Sequence, residues 1–137
     1  MAVKVERILF LDDEEIVREA LAQWLTLAGY AVSTFEDPKA ALAAIDDRFP
    51  GILVTDMRMP RMDGFAVLER ALRQDPELPV VLVTGHGDAS MAVEAMRRGA
   101  DDFIEKPFAP ERLVDAIGRA CEKRHLTLRL RSCSVPG

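Results

Sequence analysis

The chain of 137 residues is long enough for one domain built around a single hydrophobic core. Its 49% hydrophobic and 30% charged residues are typical of an ordinary globular protein and exclude a disordered one. The net charge of −5 argues against nucleic-acid binding by this chain on its own, and no apolar run is long enough to span a membrane. The acidic N-terminal stretch lacks the features of a signal peptide, and Cys121 and Cys133 lack metal-ligand spacing, so we expect a reduced, cytoplasmic protein.

Five short runs rich in branched or aromatic residues predict β-strands, and amphipathic stretches with helical periodicity lie between them. In chain order the runs are ILFL (8–11), YAVSTF (30–35), ILVT (52–55), VVLVT (80–84) and FI (103–104). Gly29 marks the end of the first helix, while Asp37 and Pro38 provide a capped start for the second. Continuous apolar strands joined by helical crossovers predict an α/β fold, a doubly wound parallel sheet with helices on both faces.

The periodicity of the predicted helices also indicates which of their faces pack on the sheet. In the first helix, the predicted inner face consists of Ile16, Ala20, Leu21, Trp24 and Leu25. In the fourth and fifth helices, the corresponding residues are Ala92, Val93, Met96, Leu113, Ile117 and Cys121. Such an apolar face is the one that an amphipathic helix packs against a core, and Met96 is expected to be a packing or a surface residue.

The stretch HLTLRLRSCSVPG at the C-terminus departs from this alternation. Leu126, Leu128 and Leu130 alternate with polar residues, which is typical of a strand. However, Leu126 and Leu130 are also about one helical turn apart, and the stretch continues directly from a predicted helix. The sequence leaves both structures open for this stretch, and we expect its end, SCSVPG (132–137), to fray.

Polar side chains follow four of the predicted strands, at the point where each strand ends. Asp12 and Asp13 follow the first strand, Asp56 follows the third, Thr84 ends the fourth and Lys106 follows the fifth. The carboxyl ends of parallel strands lie along one edge of a sheet, where ligands bind. If the first strand is flanked by the third, the three aspartates become immediate neighbours.

The charges of these residues indicate a site for a divalent cation. Three aspartates and one lysine leave two negative charges, and clustered carboxylates repel one another unless a cation joins them. Mg2+ fits best, because it prefers oxygen ligands and keeps positions open for phosphate oxygens and water. A carboxylate in such a site can attack a phosphoryl group and form an aspartyl phosphate, with Lys106 and Thr84 stabilising the transferring oxygens.

Four motifs, FLDDEE, VTDMRMPRMDG, VVLVTGHGD and GADDFIEKPF, together resemble the receiver domain of bacterial two-component response regulators across most of residues 5–125. The details RMPRMDG, TGHGD and MAVEAMRRGADDFIEKPF look most like the NtrC/DctD-type activators of sigma-54 RNA polymerase. This resemblance implies a flavodoxin-like, CheY-like (βα)5 fold with five parallel strands in the order 2-1-3-4-5. It also implies that residues 126–137 form an extended helix or linker and a frayed tail that lead to an output domain beyond Gly137.

The resemblance implies a role for each residue at the strand ends. Asp56 would be the phosphoacceptor and, with Asp13 and the backbone carbonyl of Arg58, would bind Mg2+ directly. Asp12 would hold the metal largely through water, and Lys106 would pair with the phosphoryl group.

The resemblance also implies a conformational switch beside the phosphoacceptor. Thr84 would move towards the phosphoryl group, and Phe103 would turn inward with it as the aromatic switch residue. Phe103 has no hydroxyl group, so a hydrogen bond from its ring is excluded. The Lys106–Pro107 peptide bond would be cis.

Two further residues flank the expected opening of the site. Arg58 and His86 lie in the loops after the third and fourth strands, and Gly85 leaves the phosphoryl group open to solvent or to a partner. We hypothesise that Arg58 and His86 modulate the lifetime of the phosphate.

The partners implied by the resemblance are a sensor histidine kinase, a second copy of the chain and a downstream ATPase domain. The homodimer would use the surface of the fourth and fifth helices and a linker helix, with Leu113, Ile117, Leu126 and Leu130 contributing to an apolar seam. The receiver would restrain the ATPase until phosphorylation, without binding DNA or membrane itself.

Two alternative functions differ in class. A free-standing receiver would act only by protein–protein binding. A Mg2+-dependent phosphatase would have its nucleophile directly after the first strand, whereas here a lone Asp56 follows the third. The resemblance therefore implies no enzyme beyond Mg2+-dependent self-phosphorylation and autodephosphorylation, and no G-x-G-x-x-G supports a dinucleotide enzyme.

Overall fold

A computed structural model of the chain describes residues 7–85 and 89–133, in which five strands and five helices alternate. The strands are β1 (Arg7–Leu11), β2 (Ala31–Phe35), β3 (Gly51–Asp56), β4 (Val80–Thr84) and β5 (Asp102–Glu105). The helices are α1 (Glu15–Leu27), α2 (Pro38–Ala43), α3 (Gly64–Gln74), α4 (Ala89–Arg97) and α5 (Pro110–Cys133).

The strands form one parallel sheet in the order β2-β1-β3-β4-β5, which confirms the predicted fold. Successive strand residues point to opposite faces, so each strand contributes to two cores. Leu9 and Leu11 pack with α2, α3 and α4, whereas Ile8 and Phe10 pack with α1 and α5. Because β3 lies at the centre between β1 and β4, all of its residues are buried.

The register of the sheet brings the carboxyl ends of the inner strands level with one another. Leu11 of β1 pairs with Thr55 of β3, and Thr84 of β4 pairs with Glu105 of β5. Residues that directly follow these strands therefore meet at one edge, although they are far apart in the sequence. This edge carries the candidate site.

The predicted inner faces of α1 and α4 are only partly right. In α1, Leu25 is buried and Leu21 packs against the same core, as predicted. Ile16 and Trp24 are 82% and 49% exposed, because Val17 is the further apolar residue of the stripe that packs. In α4 the buried residue is Ala95, while Val93 and Met96 lie on the exposed side. The helical period was correct, but the face that packs was displaced by about one residue.

Residues 126–133 continue α5 as one helix, so the strand-like alternation of the leucines did not predict their structure. Leu128 is buried against the core, whereas Leu126 and Leu130 are 54% and 74% exposed. Leu113 and Ile117 are also buried in the core and cannot join an external seam as predicted. The exposed part of that seam is limited to Leu126 and Leu130.

The described residues bear on two further predictions made from the composition. None of the helices in residues 7–85 and 89–133 combines the length and apolar character needed to cross a bilayer. Cys121, which was expected to be reduced, is a free thiol buried in the core beside the sheet.

Candidate functional site

Three aspartates meet at the carboxyl edge of the sheet. Asp12 and Asp13 lie in the loop between β1 and α1, and Asp56 is the last residue of β3. One carboxylate oxygen from each of them lies within 4.8 Å of the others. Asp12 and Asp56 are buried, whereas Asp13 is exposed, so the cluster is accessible from one side. This arrangement follows from the position of β1 beside β3.

Backbone hydrogen bonds fix the loop that carries Asp12. The Asp12 N–H donates to the carbonyl of Phe35 over 3.1 Å, and the Asp12 Oδ1 atom accepts from the Glu14 N–H over 2.9 Å. In addition, Arg18 Nη1 donates to the Asp12 carbonyl over 2.7 Å. Sequence reasoning missed Arg18, because a lone arginine in the first turns of an amphipathic helix has no motif that reveals its partner.

The loop after Asp56 closes tightly on itself. Gly64 N–H donates to the Met57 carbonyl over 2.9 Å, and a Cβ atom on Gly64 would lie 2.6 Å from the Met57 sulfur. Only glycine therefore fits at this position without a shift of the loop. Met57 is buried, and Met59 and Met62 pack partly against the same core. The methionines therefore anchor the loop through packing.

Lys106 approaches two of the aspartates. Its Nζ atom lies 3.7 Å from Asp12 Oδ2 and 3.7 Å from Asp56 Oδ1. The backbone N–H of Lys106 donates to the Thr84 carbonyl over 2.6 Å, and this hydrogen bond connects the loop after β5 to the end of β4. The Lys106–Pro107 peptide bond is cis, as the resemblance implies.

The electrostatics of the cluster oppose full ionisation. Burial and the nearby Asp12 together raise the pKa of Asp56 to about 6, although the charge of Lys106 opposes the increase. Burial also raises the pKa of Asp12, against the hydrogen bond from the Glu14 N–H and the charge of Lys106. The cluster thus retains negative charge that one lysine does not balance.

The donors of the cluster fit a hard divalent cation. All three offer carboxylate oxygens, the ligand type that Mg2+ prefers, and the exposed side at Asp13 leaves room for water and phosphate oxygens. A cleft of about 430 Å³ borders Asp13 and leads to solvent. Receiver domains bind Mg2+ at an aspartate cluster of this kind.

Thr84 and Phe103 lie on the same face of the sheet. Thr84 is the buried last residue of β4 and pairs with Glu105, two residues after Phe103 in β5. Phe103 pairs with Leu82 and packs partly buried against the core of α2, α3 and α4. A movement of Thr84 could therefore reach the Phe103 ring without crossing the sheet.

The residues expected to flank the opening differ in what the structure describes. Arg58 is exposed two residues after Asp56, and a Cβ atom on Gly85 would meet nothing within 4 Å. His86 lies outside the described residues.

Thr55, another residue that sequence reasoning missed, donates its hydroxyl to the Asp56 carbonyl over 3.0 Å. A threonine in a strand is so common that it gives no signal of this role.

Comparisons with known proteins agree with this geometry. The family model described as the response regulator receiver domain matches residues 8–118. The C4-dicarboxylate transport transcriptional regulatory protein DctD of Rhizobium meliloti (strain 1021) is 50% identical over 125 residues, which cover 91% of this chain and 27% of DctD. The chain therefore spans about a quarter of the length of this relative.

Solved structures are similar over nearly the whole chain. NtrX from Brucella abortus in complex with ATP superposes with a TM-score of 0.82 and 41% identity, covering 97% of this chain and 30% of that one. The beryllofluoride-activated NtrC4 receiver domain dimer gives a TM-score of 0.80 and 34% identity, covering 87% of this chain and 98% of that one. With the sheet order, the aspartate cluster and these matches in agreement, the chain belongs to the response regulator receiver domain family.

Proposed function

We propose that this receiver is a phosphorylation switch in which Asp56 accepts a phosphoryl group from a sensor histidine kinase or a small phosphodonor. Receiver domains of response regulators are phosphorylated on an aspartate. The observation that carries the proposal is the meeting of Asp12, Asp13 and Asp56 within 4.8 Å, with Lys106 3.7 Å from two of them. Asp56 is the acceptor, because it ends the central strand and occupies the position at which receiver domains carry their phosphorylated aspartate.

The transfer is a displacement at phosphorus. A carboxylate oxygen of Asp56 forms the new bond to phosphorus while the bond to the donor atom breaks, and the donor leaves with its electron pair. The Lys106 ammonium group pairs with a phosphoryl oxygen, and the Thr84 hydroxyl donates to another once it has moved. Mg2+, when bound, neutralises charge on the transferring oxygens.

The residues that hold the metal follow from the same cluster. Asp13, Asp56 and the carbonyl of Arg58 would be direct ligands, and Asp12 would act largely through water. The exposure of Asp13 and the burial of Asp12 support this division, since an ion entering from solvent meets Asp13 first. Beyond self-phosphorylation and the later hydrolysis of the phosphate, the chain performs no chemistry.

The output of the switch is a change in dimer contacts. Thr84 and Phe103 share one face of the sheet, so their rearrangement would alter the surface of α4, β5 and α5. Val93 and Met96 of α4 already expose apolar surface there. The NtrC4 receiver, which is similar in structure, forms a dimer in its beryllofluoride-activated state.

In the whole protein, the receiver would occupy residues 5–125, and residues 126–137 would lead to the output. The similarity to DctD supports a sigma-54-activating ATPase and a DNA-binding domain as that output, controlling C4-dicarboxylate transport genes. Such a protein would work in the cytoplasm, where it can contact both its kinase and its target promoters.

Beryllofluoride, which mimics a phosphoryl group on aspartate, tests the proposal. With Mg2+ it should raise the dimer fraction of the wild-type chain in sedimentation equilibrium, because it places the charge of a phosphoryl group on Asp56. Asp56→Asn is the matched control, since it keeps the shape and removes the nucleophilic oxygen. If both proteins show the same dimer fraction with beryllofluoride, the dimer switch is wrong. If incubation with a small phosphodonor leaves Asp56 of the wild-type chain unphosphorylated, the proposal that Asp56 accepts a phosphoryl group is wrong.

A further inference from the structure

A buried ion cluster lies at the amino end of the sheet, opposite the aspartates of the candidate site. The side chain of Arg124 in α5 is 0% exposed, and that of Asp75, directly after α3, is 1% exposed. Arg131, two turns further along α5, also reaches Asp75. We call Asp75, Arg124 and Arg131 the clasp. Buried charges require this kind of complete pairing.

Arg124 has a partner for each of its three nitrogen atoms. Its Nη1 atom donates to Asp75 Oδ2 over 2.6 Å and its Nε atom to the Phe49 carbonyl over 3.0 Å. Its Nη2 atom donates to the Asp46 carbonyl over 3.2 Å. Arg124 therefore joins α5 both to the loop before β3 and to the end of α3.

Arg131 completes the clasp from the last turns of α5. Its Nη1 and Nη2 atoms bind the two oxygens of Asp75 over 2.9 and 2.8 Å, and Nη1 also donates to the Asp47 carbonyl over 2.6 Å. This two-point contact is the strong, oriented form of an arginine–carboxylate pair. The Glu77 N–H provides a further donor to Asp75 over 3.0 Å.

The two arginines of the clasp lie on one stripe of α5 together with Leu128. Arg124, Leu128 and Arg131 are spaced by four and three residues, so they lie on the same side of the helix. Leu128 is buried between the two arginines, whereas Arg129 and Leu130 lie on the exposed side. The last two turns of α5 are thus held against the receiver and do not project freely.

The charge state of Asp75 suits a permanent contact. Burial would raise its pKa, but hydrogen bonds from Arg131, the Glu77 N–H and Arg124 hold the pKa well below its ordinary value. Asp75 therefore stays ionised at neutral and moderately acidic pH, and the clasp does not open through its protonation.

We infer that the clasp is a positioning device that fixes the direction in which α5 leaves the receiver. Without it, two helical turns bearing the exposed Leu126 and Leu130 would fray or swing, because Leu128 is the buried side chain that would still hold residues 126–132. The same contacts anchor the strands of the candidate site at their other ends, since Phe49 lies before β3 and Asp75 before β4. This role goes beyond phosphorylation and does not depend on it.

Arg131→Met tests the device while leaving the Arg124–Asp75 pair in place. It keeps the length and apolar stem of the side chain but removes its three hydrogen bonds. Amide hydrogen exchange across residues 126–133 should rise by about tenfold, while residues 113–121 keep their protection. Arg129→Met, on the exposed side of the same turns, is the matched control and should change neither segment.

A second measurement reports the direction of the helix itself. Spin labels on Lys39→Cys in α2 and Ser132→Cys in α5, in a Cys133→Ser background, should give a narrow distance distribution that broadens with Arg131→Met. Arg131→Lys should give an intermediate width, because lysine restores the charge but not the two-point contact. If Arg131→Met matches Arg129→Met in both exchange and distance width, the clasp has no positioning role.

Discussion

Lys106 and Asp56 oppose each other across the carboxyl edge of the sheet, with Nζ 3.7 Å from Oδ1. The same ammonium group lies 3.7 Å from Asp12 Oδ2, so it is shared between two carboxylates. This shared position gives the lysine two opposite effects on the site. It repels an incoming metal ion and attracts an incoming phosphoryl group.

Lys106→Met should therefore separate metal binding from phosphorylation. Removing the ammonium group leaves a more negative cluster, so Mg2+ should bind about threefold or more tightly, as expected for a charge a few ångströms away near a protein surface. Phosphorylation by a small phosphodonor should instead slow by at least about tenfold, because no cation pairs with the transferring oxygens. Calorimetric Mg2+ titration and phosphoprotein yield measure the two effects. Lys39→Met, at an exposed position of α2, should change neither Mg2+ binding nor phosphorylation. A parallel loss of both would contradict the prediction.

Mg2+ affinity should fall as the pH is lowered through about 6. The pKa of Asp56 in the metal-free protein is raised to about 6, so protons compete with the ion below that pH. The affinity should drop by up to about tenfold per pH unit for each proton displaced. Titrations at pH 8, 7, 6 and 5 in one ionic strength measure the profile. A Mg2+ affinity that is unchanged between pH 8 and 5 would show that the pKa of Asp56 is not raised.

Asp56→Asn should stabilise the metal-free protein above pH 7. Because the folded pKa of Asp56 is raised from 3.8 to about 6, its contribution to stability is present at low pH and is lost as the pH rises through 6. Asparagine carries no charge and avoids this loss, which is at most about 3 kcal/mol. Urea denaturation with a chelator should show the difference at pH 8 and little of it at pH 4. Mg2+ should reduce the gap by binding the wild type; a gap that is constant with pH would argue for a packing effect.

The candidate site was predictable because the chemistry of a parallel sheet is concentrated at the ends of its strands. Asp12, Asp56 and Lys106 each follow an apolar run, and the convergence of strand ends needs no knowledge of side-chain contacts. The clasp was not predictable in this way. Asp75 and Arg124 are 49 residues apart, neither follows a strand, and only the packing of α5 beside the sheet brings them together.

The errors in the helix faces have a related cause. Periodicity gives the spacing of apolar residues, but Ile16 and Trp24 add apolar side chains outside the packed stripe of α1, and the pattern does not distinguish them. For residues 126–133, alternate leucines matched both a strand and a helix. The buried Leu128 and the arginines on its side show that tertiary contacts selected the helix.

Two glycines near the site should respond differently to alanine. At Gly64 an added Cβ atom would lie 2.6 Å from the Met57 sulfur and 2.9 Å from its Cα atom, so the loop after Asp56 must shift. We expect Gly64→Ala to destabilise the fold by roughly 1–3 kcal/mol. At Gly85 an added Cβ atom would meet no atom of the described residues within 4 Å, so Gly85→Ala should stay within about 0.5 kcal/mol of the wild type. Chemical denaturation of both variants compares them; equal effects would contradict the tight closure of the Asp56 loop.

Arg58 should lengthen the life of the phosphate on Asp56. It is exposed on the loop that follows the proposed phosphoacceptor, where its guanidinium group would screen the phosphoryl oxygens from attacking water. We expect Arg58→Ala to shorten the half-life of the aspartyl phosphate by about threefold, the size of a partly exposed charge contact. His86→Ala tests the companion residue in the same assay. Arg61→Ala is the matched control, because Arg61 lies on the same loop with its side chain 77% exposed and 4.0 Å from Asp37. If the aspartyl phosphate of both Arg58→Ala and His86→Ala decays at the same rate as that of Arg61→Ala, neither residue modulates its lifetime. Access of water through the opening beside Gly85 would then set the lifetime instead.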